Sequence, residues 1–454
     1  MFDSIFDKFV KESPVCVIAR ATMERVLNPD ILNDWFDITA KEQYTKELMF
    51  SSVFDIMSQV VHGSMPSVNA AYQYAKAHIG VSITSLYNKL NGIEAQTSAA
   101  MVRYVAGQIT PIIEQLGVVH APALPGYRIK LLDGNCIEKS HHRIKELRII
   151  AAGPLPGKSL VVYDPVLGIP IDVFPCEDGH AQERSLLSGV LESIISKDVW
   201  IADRNFCTVV FTCGIASRGA FFIIREHKKY PYRSAGNETY IGEIETGSVY
   251  EQPIAVVDRN GKEHIFRRCR VRLKKETRDG DKEICVISNL PAEAAQATTI
   301  ADLYRTRWKI ETAFQDLSEH LKSEINTLGY PRAALFGFCV ALVSYMILSV
   351  IKAALGSVHG TDTVKNKISG YYLANEISGT YRGMMIALPC GEWVVFATMP
   401  IIEFVEALKT FAGKVKLSRF RKHVRGPKNP APERIAKKNS PHVSTAKILA
   451  GRNK

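Results

Sequence analysis

The fold is decided at Val199-Trp-Ile-Ala-Asp203-Arg-Asn-Phe206, where a run of four apolar residues ends on an acid. That is the pattern of a strand buried on both faces which delivers a polar side chain at its end. Toward the N-terminus, Ala181 to Ser196 has helical spacing, and Leu160 to Tyr163 and Ile169 to Phe174 read as a hairpin around Asp164-Pro-Val-Leu-Gly168. Further back, Ile129 to Leu132 is a second apolar run that ends on an acid, in Asp133-Gly-Asn135. Toward the C-terminus, Phe206 to Ser217 reads as a helix and Ala220-Phe-Phe-Ile-Ile224 as a wholly apolar strand.

Strand, hairpin, helix, strand, helix, strand is the order of an RNase H-like mixed sheet, so the expected class is α/β with helices flanking the sheet. The next helix is delayed. Tyr240 to Pro291 is strand-rich, with turns at Gly247, Asn260-Gly and Asp279-Gly, and reads as an inserted β-rich subdomain. A helix is expected from Thr298 to Lys322. The first 120 residues lack β-branched alternation and read as an all-helical domain. The expected organisation is therefore helical residues 1–120, an RNase H-like core at 121–235 and 292–410, an insertion at 236–291, and a basic mobile tail at 411–454.

Charge is placed unevenly. The formal net charge is +11, yet residues 411–454 hold 13 Lys and Arg against one acid, leaving 44 bases and 45 acids in the rest. A tail rich in Pro, Lys and Arg cannot bury a core, and such tails neutralise nucleic-acid phosphates. Met1 to Val10 carries Asp3 and Asp7 and has no apolar region behind a basic flank, so no signal peptide is expected. Nine scattered cysteines without zinc spacing point to a reducing cytoplasm. Ala333 to Ile351 is 19 residues without charge, close to the about 20 that span a bilayer. A helix central to a large core has the same composition, and with no second such stretch the buried-helix reading is preferred to a membrane partner.

Two features suggest grip on a polyanion. Arg268, Arg270, Arg272 and Lys274 alternate with Cys269, Val271 and Leu273, which puts four cations on one strand face. With no acids interleaved they repel one another, which favours an anionic partner. Ala70 to Ile79 and Ile83 to Leu90, separated by Gly80-Val-Ser82, form a helix-turn-helix-like pair. Ser85, Tyr87, Asn88 and Lys89 are the polar groups of its second helix.

Phosphodiester cleavage by two metal ions about 3.5–4 Å apart needs a few carboxylates on rigid elements, and Mg²⁺ suits it through its preference for hard oxygen ligands. Asp133 and Asp203 stand at strand ends, where an Asp otherwise serves as a turn or helix cap. Tyr304, Arg307 and Glu311 are spaced i, i+3, i+7 and share one helix face. A carboxylate there can reach metal while Arg307 and Tyr304 meet phosphate. The plainer alternative for Arg307 and Glu311 is an ordinary i, i+4 ion pair.

With these residues in place the chain resembles the DDE transposases of bacterial insertion sequences, in the IS-four group. Tyr304-x2-Arg307-x3-Glu311 matches the first three members of that group's Y-x2-R-x3-E-x6-K motif, and Leu131-Leu-Asp-Gly-Asn135 and Ala202-Asp-Arg-Asn-Phe206 are similar to its two Asp motifs. The motif's Lys would fall at Ser318, so Lys322 is the candidate replacement. The group often stacks a flipped base on an insertion-domain Trp. None lies between Tyr230 and Pro291, which leaves Tyr240, Tyr250 and Phe266 as substitutes. The resemblance implies Asp133, Asp203 and Glu311 as catalytic metal ligands for Mg²⁺, with Mn²⁺ substituting. It implies Tyr304, Arg307 and Lys322 as DNA contacts, joined by the insertion-strand cations. It further implies binding of terminal inverted repeats, cleavage by metal-activated water, transfer of the 3′-hydroxyl to target DNA, and a homodimer assembled on DNA in the bacterial nucleoid. A non-catalytic DNA-binding repressor derived from such an enzyme is the rival expectation.

Overall fold

A computed structural model of the chain describes residues 4–43, 47–118, 122–149, 151–277 and 280–423. Seven helices come first: α1 (Ser4–Glu12), α2 (Pro14–Leu27), α3 (Pro29–Thr39), α4 (Phe50–Val61), α5 (Val68–Ile79), α6 (Ile83–Gly92) and α7 (Ala95–Gln115). Their starts are written locally. Pro14 and Pro29 occupy first turns, where the missing N–H has no partner to lose. The Ser67 and Ser82 hydroxyls cap α5 and α6 by accepting from Ala70 and Ser85 N–H. Gly80, at φ 70°, ends α5 in the left-handed region.

The α/β half follows as β1 (Arg128–Cys136), β2 (Lys158–Asp164), β3 (Ile169–Cys176), α8 (Leu187–Glu192), β4 (Asp198–Ala202), α9 (Val209–Ala216) and β5 (Phe221–Arg225). These strands lie in the order β3-β2-β1-β4-β5. β1 pairs antiparallel with β2, β2 antiparallel with β3, and β4 runs parallel to both β1 and β5. This is the RNase H-like sheet that the element order implies. The β2–β3 hairpin turns where Asp164 Oδ1 accepts from the N–H groups of Val166 and Leu167.

The insertion does not stand apart from this sheet. β6 (Arg233–Ser234), β7 (Thr239–Ile244), β8 (Gly247–Val257), β9 (Glu263–Leu273) and β10 (Glu283–Ser288) extend it, because β10 pairs antiparallel with β5. The result is one ten-stranded sheet, with β7 attached to β8 off the main path. Hydrogen-bonding an edge strand removes its unpaired N–H and C=O groups.

The single helix expected from Thr298 to Lys322 is two, α10 (Ala297–Arg305) and α11 (Trp308–His320). Between them Arg307, Lys309 and Ile310 N–H bond carbonyls only three residues back, and the Thr306 hydroxyl donates to Leu303 O at 2.7 Å. Such tightened turns mark a change of axis. Then come α12 (Pro331–His359), α13 (Thr361–Lys367), α14 (Gly370–Ala387), α15 (Val394–Thr398) and α16 (Ile401–Gly413).

The apolar stretch Ala333 to Ile351 is the middle of α12. Among the described residues α12 is the one helix long and apolar enough to cross a membrane, and its apolar window is wholly buried inside the fold. It packs on α2, α4, α6, α7, α16 and β3, which joins the N-terminal helices and one sheet face in a single core. Its Ser344 and Ser349 hydroxyls donate to carbonyls inside that core. A second core, with Trp200, Phe222 and Phe266, lies under α8 and α9 on the opposite face.

Residues 1–421 make one compact unit. The expected tail therefore begins late, since Phe411, Ala412, Val415 and Phe420 are buried and the Ser369 N–H bonds Phe420 O. Most of its basic charge falls at 424–454, outside the described residues.

Candidate active site

Parallel pairing of β1 with β4 aligns Leu132 with Ala202, so the next residue of each strand is an acid. Asp133 and Asp203 thus emerge side by side at one edge of the central strands. Asp203 leaves β4 and opens the turn Arg204–Phe206, where its carbonyl accepts from Phe206 N–H at 3.0 Å. The third acid arrives from across the sheet. The break before Trp308 makes Arg307 the residue flanking α11, and the guanidinium turns inward.

Arg307 is the hub. Its Nη1 lies 3.3 Å from Asp133 Oδ2 and its Nη2 2.6 Å from Glu311 Oε1. Its side chain is 10% exposed, so these pairs are stronger than surface ones. Asp133 Oδ1 also accepts from Gly134 N–H at 2.9 Å. Even so, burial pushes the Asp133 carboxyl up from 3.8 to about 6. Arg307 and the Gly134 N–H pull it down, and Glu311 and Asp203 push it up again. Desolvation therefore outweighs the ion pair. Tyr304 is buried beside Arg307, and burial, with a further push from Asp203, lifts its phenol to about 12.

Glu183 joins the site without any signal in its own neighbourhood of the sequence. A Cβ on Gly134 would lie 2.2 Å from Glu183 Oε1, so the residue after Asp133 must be glycine for this carboxylate to sit over the strand. Glu183 Oε2 accepts from Asn205 Nδ2 at 2.6 Å, and Arg184 Nε donates to Asn205 O at 2.6 Å. The segment Glu183-Arg184 is thereby tied to the turn that carries Asp203. Only the tertiary fold brings it there.

Several expectations need correction. Trp308 is 63% exposed, with the Arg307 guanidinium 5.3 Å from its ring centroid. Lys322 is not on the helix, which ends at His320. Its N–H donates to Val61 O, and its Nζ lies 3.4 Å from Met65 O in the N-terminal helical region. The insertion stripe is not free of acids. Arg268 pairs with Glu226 at 2.8 Å, Arg270 with Glu238 and Glu283, and Lys274 lies 3.9 Å from Glu243. Arg272 stays exposed. Neighbouring strands and loops supply these acids, so the repulsion argument for a polyanion on that face fails. Phe266 is buried and unavailable for stacking, while Tyr240 is 57% exposed and meets Tyr250 edge-on. On the candidate recognition helix Lys89 is buried, 4.8 Å over the Phe36 ring, which leaves Ser85 and Asn88 at the surface.

Among the described residues no three His, Cys, Asp or Glu groups gather closely enough to hold a metal ion. Arg307 takes up two of the three candidate carboxylates. The donor set nevertheless fits a hard divalent cation: three carboxylates face one guanidinium, and Asp133 is lifted partly by its two acidic neighbours.

No curated protein compared with the chain matches it in sequence. In structure it is similar to the piggyBac transposase in its synaptic complex with hairpin DNA, at 10% identity and a TM-score of 0.36 over 94% of this chain and 87% of that one. Residues 153–347, which include Asp203, Tyr304, Arg307 and Glu311 but begin after Asp133, match the model of the family described as the transposase DDE domain.

Proposed function

We propose that the chain is a DDE-type DNA transposase of the insertion-sequence kind, which cuts the ends of its element and joins the freed 3′-hydroxyl to target DNA. The observation that carries the reading is the convergence of Asp133 and Asp203, from adjacent parallel strands, with Glu311 and the Tyr304–Arg307 pair. Asp133, Asp203 and Glu311 would hold Mg²⁺, or Mn²⁺ in its place. When bound, such ions activate the attacking water or hydroxyl and stabilise the leaving oxygen.

The chain's own groups have separate tasks. Arg307, charged at every working pH, balances the carboxylates and presents a buried cation to a phosphate. Tyr304 stays protonated and can donate a hydrogen bond. The exposed Trp308 ring beside Arg307 offers a face on which a base can stack. The substrate would be double-stranded DNA bearing terminal inverted repeats, handled by two copies of the chain assembled on it. Nine cysteines without a disulfide suit a reducing bacterial cytoplasm, with the protein on the nucleoid.

The test is nicking of a plasmid that carries the gene's flanking DNA, with Mg²⁺ or Mn²⁺, wild type beside Asp133→Asn and Glu311→Gln. Cutting at the element ends by wild type alone supports the assignment. Cutting by either variant overturns it. The Arg307 bridge, which engages two of the acids, gives a repressor reading its footing. Binding of the ends without cutting by any of the three proteins would select that reading.

A further inference from the structure

A cavity of about 390 Å³ lies between the end of β1, α11 and the segment that follows α11. Its polar wall includes Asn135, Glu138, Gln315, Ser318, Ser323 and Glu324, and Phe314 and Phe338 also line it. It lies along the two elements that carry Asp133 and Glu311. Asn135 is two residues beyond Asp133 on the same strand face. Ser318 is seven residues beyond Glu311, on the same helical stripe and about 10 Å along the axis. Serine at 318, where the resemblance leads one to expect lysine, leaves this wall short.

The wall has unmet hydrogen-bonding capacity. Ser323 is 5% exposed. Asn135 Nδ2 is buried with no partner. Glu324 spends one oxygen on Glu138 N–H, at 3.0 Å, which leaves the other available. Burial, reinforced by the Glu138 charge, pushes the Glu324 carboxyl up, so an arriving donor would be welcome there. The volume is far beyond one metal ion or one water and within the small-ligand range of about 300–1,000 Å³.

These groups select the part of a nucleic acid that can enter. Two carboxylates repel a phosphate, so a strand lying across α11 must offer a base. Two acceptors favour a group with two N–H donors, which an exocyclic amine supplies and the single imino N–H of thymine does not. The Asn135 amide is a donor, and it suits the ring nitrogen next to that amine in cytosine and adenine. Phe314 and Phe338 give the ring apolar surfaces. We propose that this cavity takes the Watson–Crick edge of one unpaired cytosine or adenine, a nucleotide or two from the phosphodiester bond at the acids.

This inference rests on the DNA-processing reading, and the test separates the two. Fluorescence anisotropy would measure binding of labelled single strands of dC, dA and dT, a dozen nucleotides each, to the full chain. Wild type is expected to hold dC and dA roughly tenfold tighter than dT, the size of one good base-edge contact. Glu324→Gln keeps an acceptor for Glu138 N–H and should bring dC and dA to within about twofold of dT. Ser318→Trp, at an exposed helix position, should do the same by filling the space, with melting temperature reporting that each variant is folded. Equal affinity of wild type for all three strands overturns the cavity assignment alone, as does a preference that survives in both folded variants. A wild type that binds neither these strands nor duplex DNA overturns this assignment together with the transposase reading.

Discussion

Asp133 should be more useful than comfortable, and its replacement should show this as a pH-dependent gain in stability. The folded-state pKa of about 6 lies above the ordinary 3.8, so between those values the native state binds more protons than the unfolded one. Stability must then fall as pH rises from about 4 to 6 and stay lowered above it. Below the unfolded value both states are protonated and the penalty is absent. A displacement of about two pH units, at about 1.4 kcal/mol each, amounts to about 3 kcal/mol at pH 8. Over 454 residues, at about 2.1 cal/mol/K per residue, that is about 3 °C in Tm. Asp133→Asn keeps an oxygen for Gly134 N–H, leaves Arg307 its bond to Glu311, and removes the buried charge. Scanning calorimetry in chelator at pH 5 and pH 8 should find the variant's advantage growing by about 1.5 °C between the two. Divalent cation should stabilise wild type more than the variant. A Tm difference with no pH dependence would show that Asp133 is not held against its ionisation, and the account of the site would fail with it.

Arg307→Ala, which strands two carboxylates, should lower stability by about 2–3 kcal/mol, and Arg307→Lys should not restore it because one ammonium cannot replace two Nη groups aimed at two acids; urea unfolding of the three proteins decides. Gly134→Ala should cost no more than about 1 kcal/mol, because its Cβ would meet only the carboxylate end of the flexible Glu183 side chain, and a double-mutant cycle with Glu183→Ala should show much of that cost relieved. Trp308→Ala should leave Tm nearly unchanged, because the ring is largely exposed, yet weaken DNA binding roughly tenfold if a base stacks there; unchanged affinity in a gel-shift assay removes Trp308 from the interface. Arg270→Ala should destabilise the insertion strands and leave the salt dependence of DNA binding alone, since Arg270 is spent on internal pairs with Glu238 and Glu283.

What could be read in advance follows from the range of the physics involved. An apolar run that ends on an acid is a local statement, and two of them in parallel register place Asp133 beside Asp203 whatever surrounds them. The β2–β3 hairpin and the uncharged core of α12 were legible for the same reason. The insertion stripe was misread because period-2 alternation fixes which side of β9 the arginines take but not what lies across from them. Glu283 sits directly opposite Arg272 in the β9–β10 register, one step from the Arg270 it pairs with. Glu226 and Glu238 come from outside β9 altogether.

The site itself shows the same limit at closer range. Helical spacing put Tyr304, Arg307 and Glu311 on one face of a continuous helix, and a continuous helix would leave Arg307 and Glu311 an ordinary surface pair. The break after Arg305 turns the guanidinium inward, where it meets Asp133 as well, 174 positions away in sequence. Trp308, the first residue after the break, is 63% exposed. The Thr306 hydroxyl, bonded back to Leu303 O, loosens the helix locally, and packing decides where the guanidinium and the indole then go. A bridging arginine, an exposed indole and a glutamate over Gly134 are therefore three results of tertiary placement.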